Sequence, residues 1–248
     1  MHSTFLQTIT LFLSLTYVLA LPTWLKPRDG VDYYDPRAQG GALLNRSGGL
    51  GEPLNVIISG KSSSDVLTKD GFANYVRAVG YSIECFGQHQ GNPQPANLGD
   101  GNGWKGEREV LREHFGIPGL GTCIQSLIGG NHLRTYRQDG PNANSGALFL
   151  AVSVEKDLAD KHQIVPNGYN LGRDRFAAEA VGKKRFLFRE YTTTVQDVPG
   201  LLEAGSAGVN HGEFPFNFQF DGEIDTKPGI AQDGVIKLLT VTSRIKIF

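Results

Sequence analysis

The chain has 248 residues, 40% of them hydrophobic and 20% charged, with 32 glycines. That is the composition of a globular protein able to bury a core, and it excludes a wholly disordered chain. Lys and Arg number 24 against 25 Asp and Glu, a net charge of −1. No global field therefore draws nucleic acid or an anionic membrane, and only local patches remain open.

Met1 to Ala20 contains no Asp, Glu, Lys or Arg, and Leu11 to Ala20 is an apolar stretch. Val18 and Ala20 stand where a signal peptidase reads small residues, so 1–20 is expected to be a cleaved secretory signal and the product extracellular. The run is short for a membrane anchor and is diluted by Thr4, Gln7, Thr8 and Thr10. No later run is long enough to span, so no transmembrane segment is expected after cleavage. Residues 21–52, with Pro22, Pro27, Pro36 and Gly/Ser clusters, read as an irregular, partly disordered arm. Asn45-Arg46-Ser47 within it is a glycosylation sequon.

A single globular domain is expected over 53–248. Leu54 to Ser59 is short and β-branched and predicts a buried strand. Asp70 to Gly80 places Phe72, Tyr75, Val76 and Val79 at helical spacing with Gly80 as its stop. Tyr81 to Phe86 predicts the next strand. The result is a β-α-β unit, whose default is a parallel pair with a right-handed crossover. Gln88 to Gly106 is a long Gly/Asn/Pro-rich loop holding Trp104, and Glu107 to Phe115 suggests a short polar helix. Thr122 to Ile128 and Asn131 to Arg137 read as strands about Gly129-Gly130. The second would carry His132, Arg134 and Tyr136 on one face and Leu133 and Thr135 on the other. Gly146 to Val154 predicts a central strand, Leu171 to Val181 a helix, Arg185 to Val195 a strand, and Val235 to Ile247 the last strand. Phe214, Phe216, Phe218 and Phe220 alternate as in a half-buried strand, which Pro215 pushes to an edge. The expected class is α+β: a mixed, strand-rich sheet with two or three helices. Cys85 and Cys123 are the only cysteines. In an oxidising compartment they are expected to form a disulfide, with two buried thiols as the alternative.

Several motifs are incomplete. Gly60-Lys61-Ser62 follows a strand, but Asn55 stands where a phosphate loop needs Gly. Ala204-Gly205-Ser206-Ala207-Gly208 lacks a Gly of a nucleophile elbow, and no acid lies between Ser206 and the last histidine, His211. Asp100-Gly101-Asn102-Gly103 opens like a calcium loop, but Trp104 and Leu111 occupy ligand positions. Lys183-Lys184-Arg185 reads as a solvated helix end. It is too small for a nucleic-acid surface.

The constellation worth locating is His132, Arg134 and Tyr136 on one strand, His162 beyond it, and Arg173-Asp174 near the second helix start. Arginine near a helix N-terminus suits an anionic group. Two histidines and an aspartate suit general acid–base work or a metal. The alternative is structural: Arg173 and Asp174 pairing within the fold, and His132 a satisfied buried histidine.

Gly129 to Gln138 (GGNHLRTYRQ), Ser145 to Glu155 (SGALFLAVSVE) and His162 to Asp174 (HQIVPNGYNLGRD) resemble the LssY C-terminal domain family. The likeness is strongest to its uncharacterised secreted fungal branch, which Ala96 to Trp104 (ANLGDGNGW) also resembles. It spans about 53–195. His132, Arg134, His162, Arg173 and Asp174 match the polar signature. Bacterial members tend to carry an acidic residue where this chain has Asn170, which weakens a metal or acid–base reading. The family implies no settled activity.

The expectation is a secreted, non-enzymatic binding domain with an unknown extracellular ligand and no cofactor, metal or nucleic acid. Its ligand-binding candidates are Trp104, Arg134, Tyr136 and Arg173. The alternative is a secreted phosphate or ester hydrolase using His132, His162 and Asp174.

Overall fold

In this computed structural model the described residues are 30–46, 51–87, 93–202, 230 and 232–246. The signal-peptide segment, Ser206, His211 and the Phe214–Phe220 stretch lie outside them. In chain order the elements are β1 (Val56–Ile58), α1 (Lys69–Val79), β2 (Tyr81–Ile83), β3 (Ala96–Asn97), β4 (Trp104–Lys105), β5 (Glu109–Glu113), α2 (Gly121–Ile128), β6 (Gly130–Arg137), β7 (Leu148–Glu155), α3 (Gly168–Ala180), β8 (Gly182–Phe186), β9 (Arg189–Val198) and β10 (Ile236–Ile245).

Eight strands form one curled, mixed sheet in the order β2-β5-β6-β7-β1-β10-β9-β8, and β3 and β4 form a separate hairpin. Every neighbouring pair is antiparallel except β1 with β10. The fold is α+β and strand-rich, as the sequence indicates. β1 and β2 are joined by α1 and run in the same direction, but they are not neighbours. Both edges of β1 are taken by the longer strands β7 and β10, and three strands separate it from β2.

The period-two alternation builds two cores. Val56 and Ile58 of β1, Leu148, Leu150 and Val152 of β7, and Leu239 and Val241 of β10 face α1 and α3 through Phe72, Tyr75, Val76, Phe176 and Ala180. Ile57, Phe149, Ala151, Tyr136, Ile236 and Leu238 fill the opposite face with Leu43, Ala96 and Leu98. Strands covered on both faces read as unbroken apolar runs, which is why 146–154 was legible as central. Residues 30–46 are irregular in conformation, yet they pack on that second face. Leu43 is fully buried, and the Tyr33 ring meets Phe149 edge-on at 6.3 Å.

Two expected elements exchange type. Glu107 to Phe115 contains strand β5 rather than a helix. Its Arg112 and Glu113 are ion-paired to distant segments, so charges that suggest a solvated helix are internal. Thr122 to Ile128 is helix α2 rather than a strand. A Cβ on Gly121 would come within 1.7 Å of the His114 carbonyl oxygen, so only glycine lets the helix begin there. Gly129 then ends it, donating its N–H to the Gln125 carbonyl. Cys123 on α2 is bonded to Cys85 just after β2, with Cα atoms 4.6 Å apart. Arg185 to Val195 spans two strands of a hairpin, and Lys183-Lys184-Arg185 sits on β8, not at a helix end.

Candidate functional site

β6 sends His132, Arg134 and Tyr136 to the second face, as its alternation predicts, and all three are buried. The register sets His132 beside Arg112 of β5 and Ser153 of β7. His132 Nδ1 lies 3.1 Å from the Ser153 hydroxyl, and Nε2 lies 3.4 Å from Glu155 Oε1. Burial drives its pKa down to about 4 against the pull of Glu155, so the imidazole is neutral at ordinary pH.

Glu155 is the hub that the sequence did not single out. Arg112 Nη1 donates to its Oε2 at 2.6 Å, and His162 Nδ1 lies 3.6 Å from the same oxygen. Arg112 also donates to Glu84 at 3.1 Å and to Gln125 at 2.9 Å. His162 and Lys161 both take left-handed backbone (φ 56) in the loop after β7. The network thus ties β5, β6, β7, α2 and that loop together. A second cluster adjoins it: Arg134 Nη1 lies 3.3 Å from Glu107, and Nε lies 3.7 Å from Glu52.

Asp174 is elsewhere. It receives Arg173 Nε at 2.9 Å and lies 3.6 Å from Lys237 Nζ. Lys237 shares the parity of Leu239 and Val241, which places this pair on the first face of the sheet, across from His132. His132 and His162 therefore share a carboxylate, but the three candidate catalytic residues do not share a cleft. His132 has no exposed surface with which to meet a substrate. Arg173 is buried and held by Asp174, Asp233 and the Val235 carbonyl, so it clamps α3 to the segment before β10. Among the described residues no group of three or more His, Cys, Asp or Glu is arranged to hold a metal.

One open cleft lies at the other end of β6. A cleft of about 70 Å³ is bounded by Lys105 of β4, Arg108 before β5, and Tyr136, Arg137 and Asp139. The Arg108 N–H donates to the Thr135 carbonyl at 2.7 Å, which brings its side chain beside the end of β6. Burial, and next the charge of Arg137, lower the Arg108 pKa from its ordinary value. Arg137 Nε is buried without a hydrogen bond, its nearest carboxylate oxygen being Asp139 Oδ2 at 3.8 Å. Arg108 makes no salt bridge among the described residues. Asp100, also on the cleft wall, is committed within the fold, accepting from the Asn102 N–H of its own loop and from the Asp139 and Gly140 N–H groups of the loop after β6 at 2.9–3.1 Å. That turn explains the calcium-like spelling of the segment.

Of the ligand-binding candidates, Tyr136 lines this cleft, its hydroxyl donating to the Gln94 carbonyl at 2.8 Å. Trp104 is half-exposed next to Lys105 on the hairpin, with Arg46 5.5 Å above its ring. Arg134 and Arg173 are committed to internal carboxylates. The sequon's Asn45 is fully buried, its Oδ1 accepting from the Glu52 N–H at 2.8 Å. The sequon's Ser47 lies outside the described residues. Arg108 and Arg137 were missed because neither falls in a motif, and only the β5–β6 register brings them together.

Comparison with protein-family profiles, curated proteins and solved structures gave no match.

Proposed function

We propose that this protein is a non-enzymatic extracellular binding domain, and that the cleft at Lys105, Arg108 and Arg137 receives an anionic group of its ligand. The observation that carries this is the meeting of Lys105, Arg108 and Arg137 at a cleft whose nearest free carboxylate, Asp139, lies 3.8 Å from Arg137 Nε without a hydrogen bond to it and makes no salt bridge to Arg108. Partly buried guanidiniums that repel one another are relieved by an anion, which they bind through forked hydrogen bonds. The apolar first twenty residues and the Cys85–Cys123 bridge support an exported protein. The resemblance to the LssY C-terminal domain family, carried by the sequence stretches quoted above, is consistent with this reading and adds no activity to it.

Calorimetric titration with inorganic phosphate and with a sulfated and a carboxylated oligosaccharide tests this reading. Saturable binding to at least one, weakened tenfold or more in Arg108→Ala/Arg137→Ala, is expected. Absence of binding to all three, or equal binding by the variant, contradicts it. The hydrolase alternative would need His132, His162 and Asp174 to act from opposite faces of the sheet. Robust turnover of p-nitrophenyl phosphate or acetate by the purified protein would overturn the binding reading in its favour.

A further inference from the structure

The turn of the β8–β9 hairpin has no part in the cleft or the buried network. Phe186 and Arg189 form the last pair of its ladder, so Leu187 and Phe188 are the whole loop. Two-residue hairpin loops favour Gly or Asn because they call for positive φ. Here Leu187 takes that conformation, at φ 52. Leu187 is 70% exposed and Phe188 69% exposed. The protein thus holds a leucine where glycine would sit without strain, and it leaves two large apolar side chains in water at a projecting tip. Ile245, opposite Arg189 on β10, is 65% exposed beside them.

The tip is ringed by positive charge. Lys183, Lys184, Arg185, Arg189 and Arg244 lie on the three strands that meet there, and Lys246 directly follows β10. The carboxylates among them are Glu190, shared by Arg185, Arg244 and Lys246, and Asp65, which takes Arg189 at 2.6 Å. Cations outnumber these carboxylates threefold. Lysines on an edge strand have an ordinary use, discouraging edge-to-edge pairing. That use accounts for Lys183 and Lys184 and leaves the Leu-Phe tip unexplained. A protein groove would be met by a broad apolar face, whereas this is a narrow tip of Leu187 and Phe188 with Ile245 beside it, held to the end of β10 by the Lys246 N–H donating to the Phe188 carbonyl at 2.8 Å, and surrounded by cations.

We propose that the β8–β9 hairpin docks on an anionic lipid bilayer, inserting Leu187 and Phe188 among the headgroups while the surrounding Lys and Arg meet lipid phosphates and carboxylates. Apolar side chains gain by leaving water at the interface, and flanking cations gain from the negative surface. Long Lys and Arg stems reach back to headgroup level as the tip enters. The near-neutral molecule supplies no such attraction as a whole, so the patch alone carries it. This is docking and not spanning. Among the described residues no helix is long and apolar enough to cross a membrane.

The test is co-sedimentation of the full chain with phosphatidylcholine vesicles, with and without phosphatidylserine. Binding confined to the serine-lipid vesicles is expected, tenfold or more weaker in Leu187→Ser/Phe188→Ser. Each lysine lost in Lys183→Ser and Lys184→Ser should cost about fivefold. Both native cysteines are bridged, so Leu187→Cys supplies one thiol for a polarity-sensitive dye, which should report an apolar environment only when anionic vesicles are added. Any of three results overturns the proposal: hairpin variants that sediment like the parent, a dye indifferent to vesicles, or a dye already in apolar surroundings without lipid. The last would assign the tip to another part of the chain or to a second copy.

Discussion

His132 shows how far burial alone can set a residue's chemistry. Its folded pKa of about 4 lies below the ordinary 6.5, so the unfolded chain takes up the proton first as pH falls. The native state is unaffected above pH 6.5, loses stability between 6.5 and about 4, and loses no more below that. The full effect is about 3 kcal/mol. His132→Asn should therefore flatten the pH dependence of urea unfolding between about pH 7 and 4 by that amount. Glu109 and Glu113, whose carboxyl pKa values burial raises, contribute the opposite slope, and both proteins share it. An unchanged slope would mean that the imidazole is reached by water. Leu187 is the opposite case, exposed and backbone-strained. Leu187→Gly should raise stability by about 1 kcal/mol, because a side chain in left-handed backbone costs that much. It should also weaken vesicle binding, though less than the double serine variant does, a pairing that melting curves and sedimentation would read together.

Among the elements, α2 depends most on help from outside itself. It is short, its N-cap makes no side-chain hydrogen bond, and Leu127 and Ile128 are exposed. The bridge from Cys123 to Cys85 closes a separation of 38 residues, and in the chain-entropy treatment that closure stabilises the fold by about 4 kcal/mol. Cys85→Ser/Cys123→Ser should lose a comparable amount in denaturant titrations, with α2 the first segment to exchange its amides. α3 depends on contact. A Cβ at Gly172 would fall 2.6 Å from Ser153 Cα, so the helix lies directly on β7 only because glycine is there. Gly172→Ala should cost on the order of 2 kcal/mol through the forced shift, measurable as a lower midpoint at unchanged m-value.

These two helices also mark what the sequence discloses. α1, α3, β6, β7 and β10 are long or sharply periodic, and their spacing alone places them. β5 and α2 are decided by partners far along the chain. The charges of β5 are neutralised by Glu84, Glu155 and Arg175, and α2 begins against the His114 carbonyl. The same division runs through the site. The shared face of His132, Arg134 and Tyr136 follows from alternation. That Glu155 and not Asp174 faces His132 follows from strand register and from which face α3 covers, and neither is written in a local pattern.

For the molecule as a whole, strand ends divide the labour. At the end where β6 begins and β7 finishes, charges are buried and satisfied among themselves by Glu155, Arg112 and His132. At the other end, where β6, β8 and β10 finish, cations outnumber their carboxylates: Arg108 and Arg137 beside Asp139 in the cleft, and the cations about Leu187 and Phe188, which share Glu190 and Asp65. One end holds the sheet together, and the other carries both of the binding surfaces proposed above. The most direct check follows the arginine Nε–H resonances by NMR while inorganic sulfate is titrated into the protein. The account predicts saturable shifts at Arg108 and Arg137 and none at Arg112, Arg134 or Arg173, whose guanidiniums already face internal carboxylates. Uniform small shifts at every arginine, or silence at Arg108 and Arg137, would contradict it.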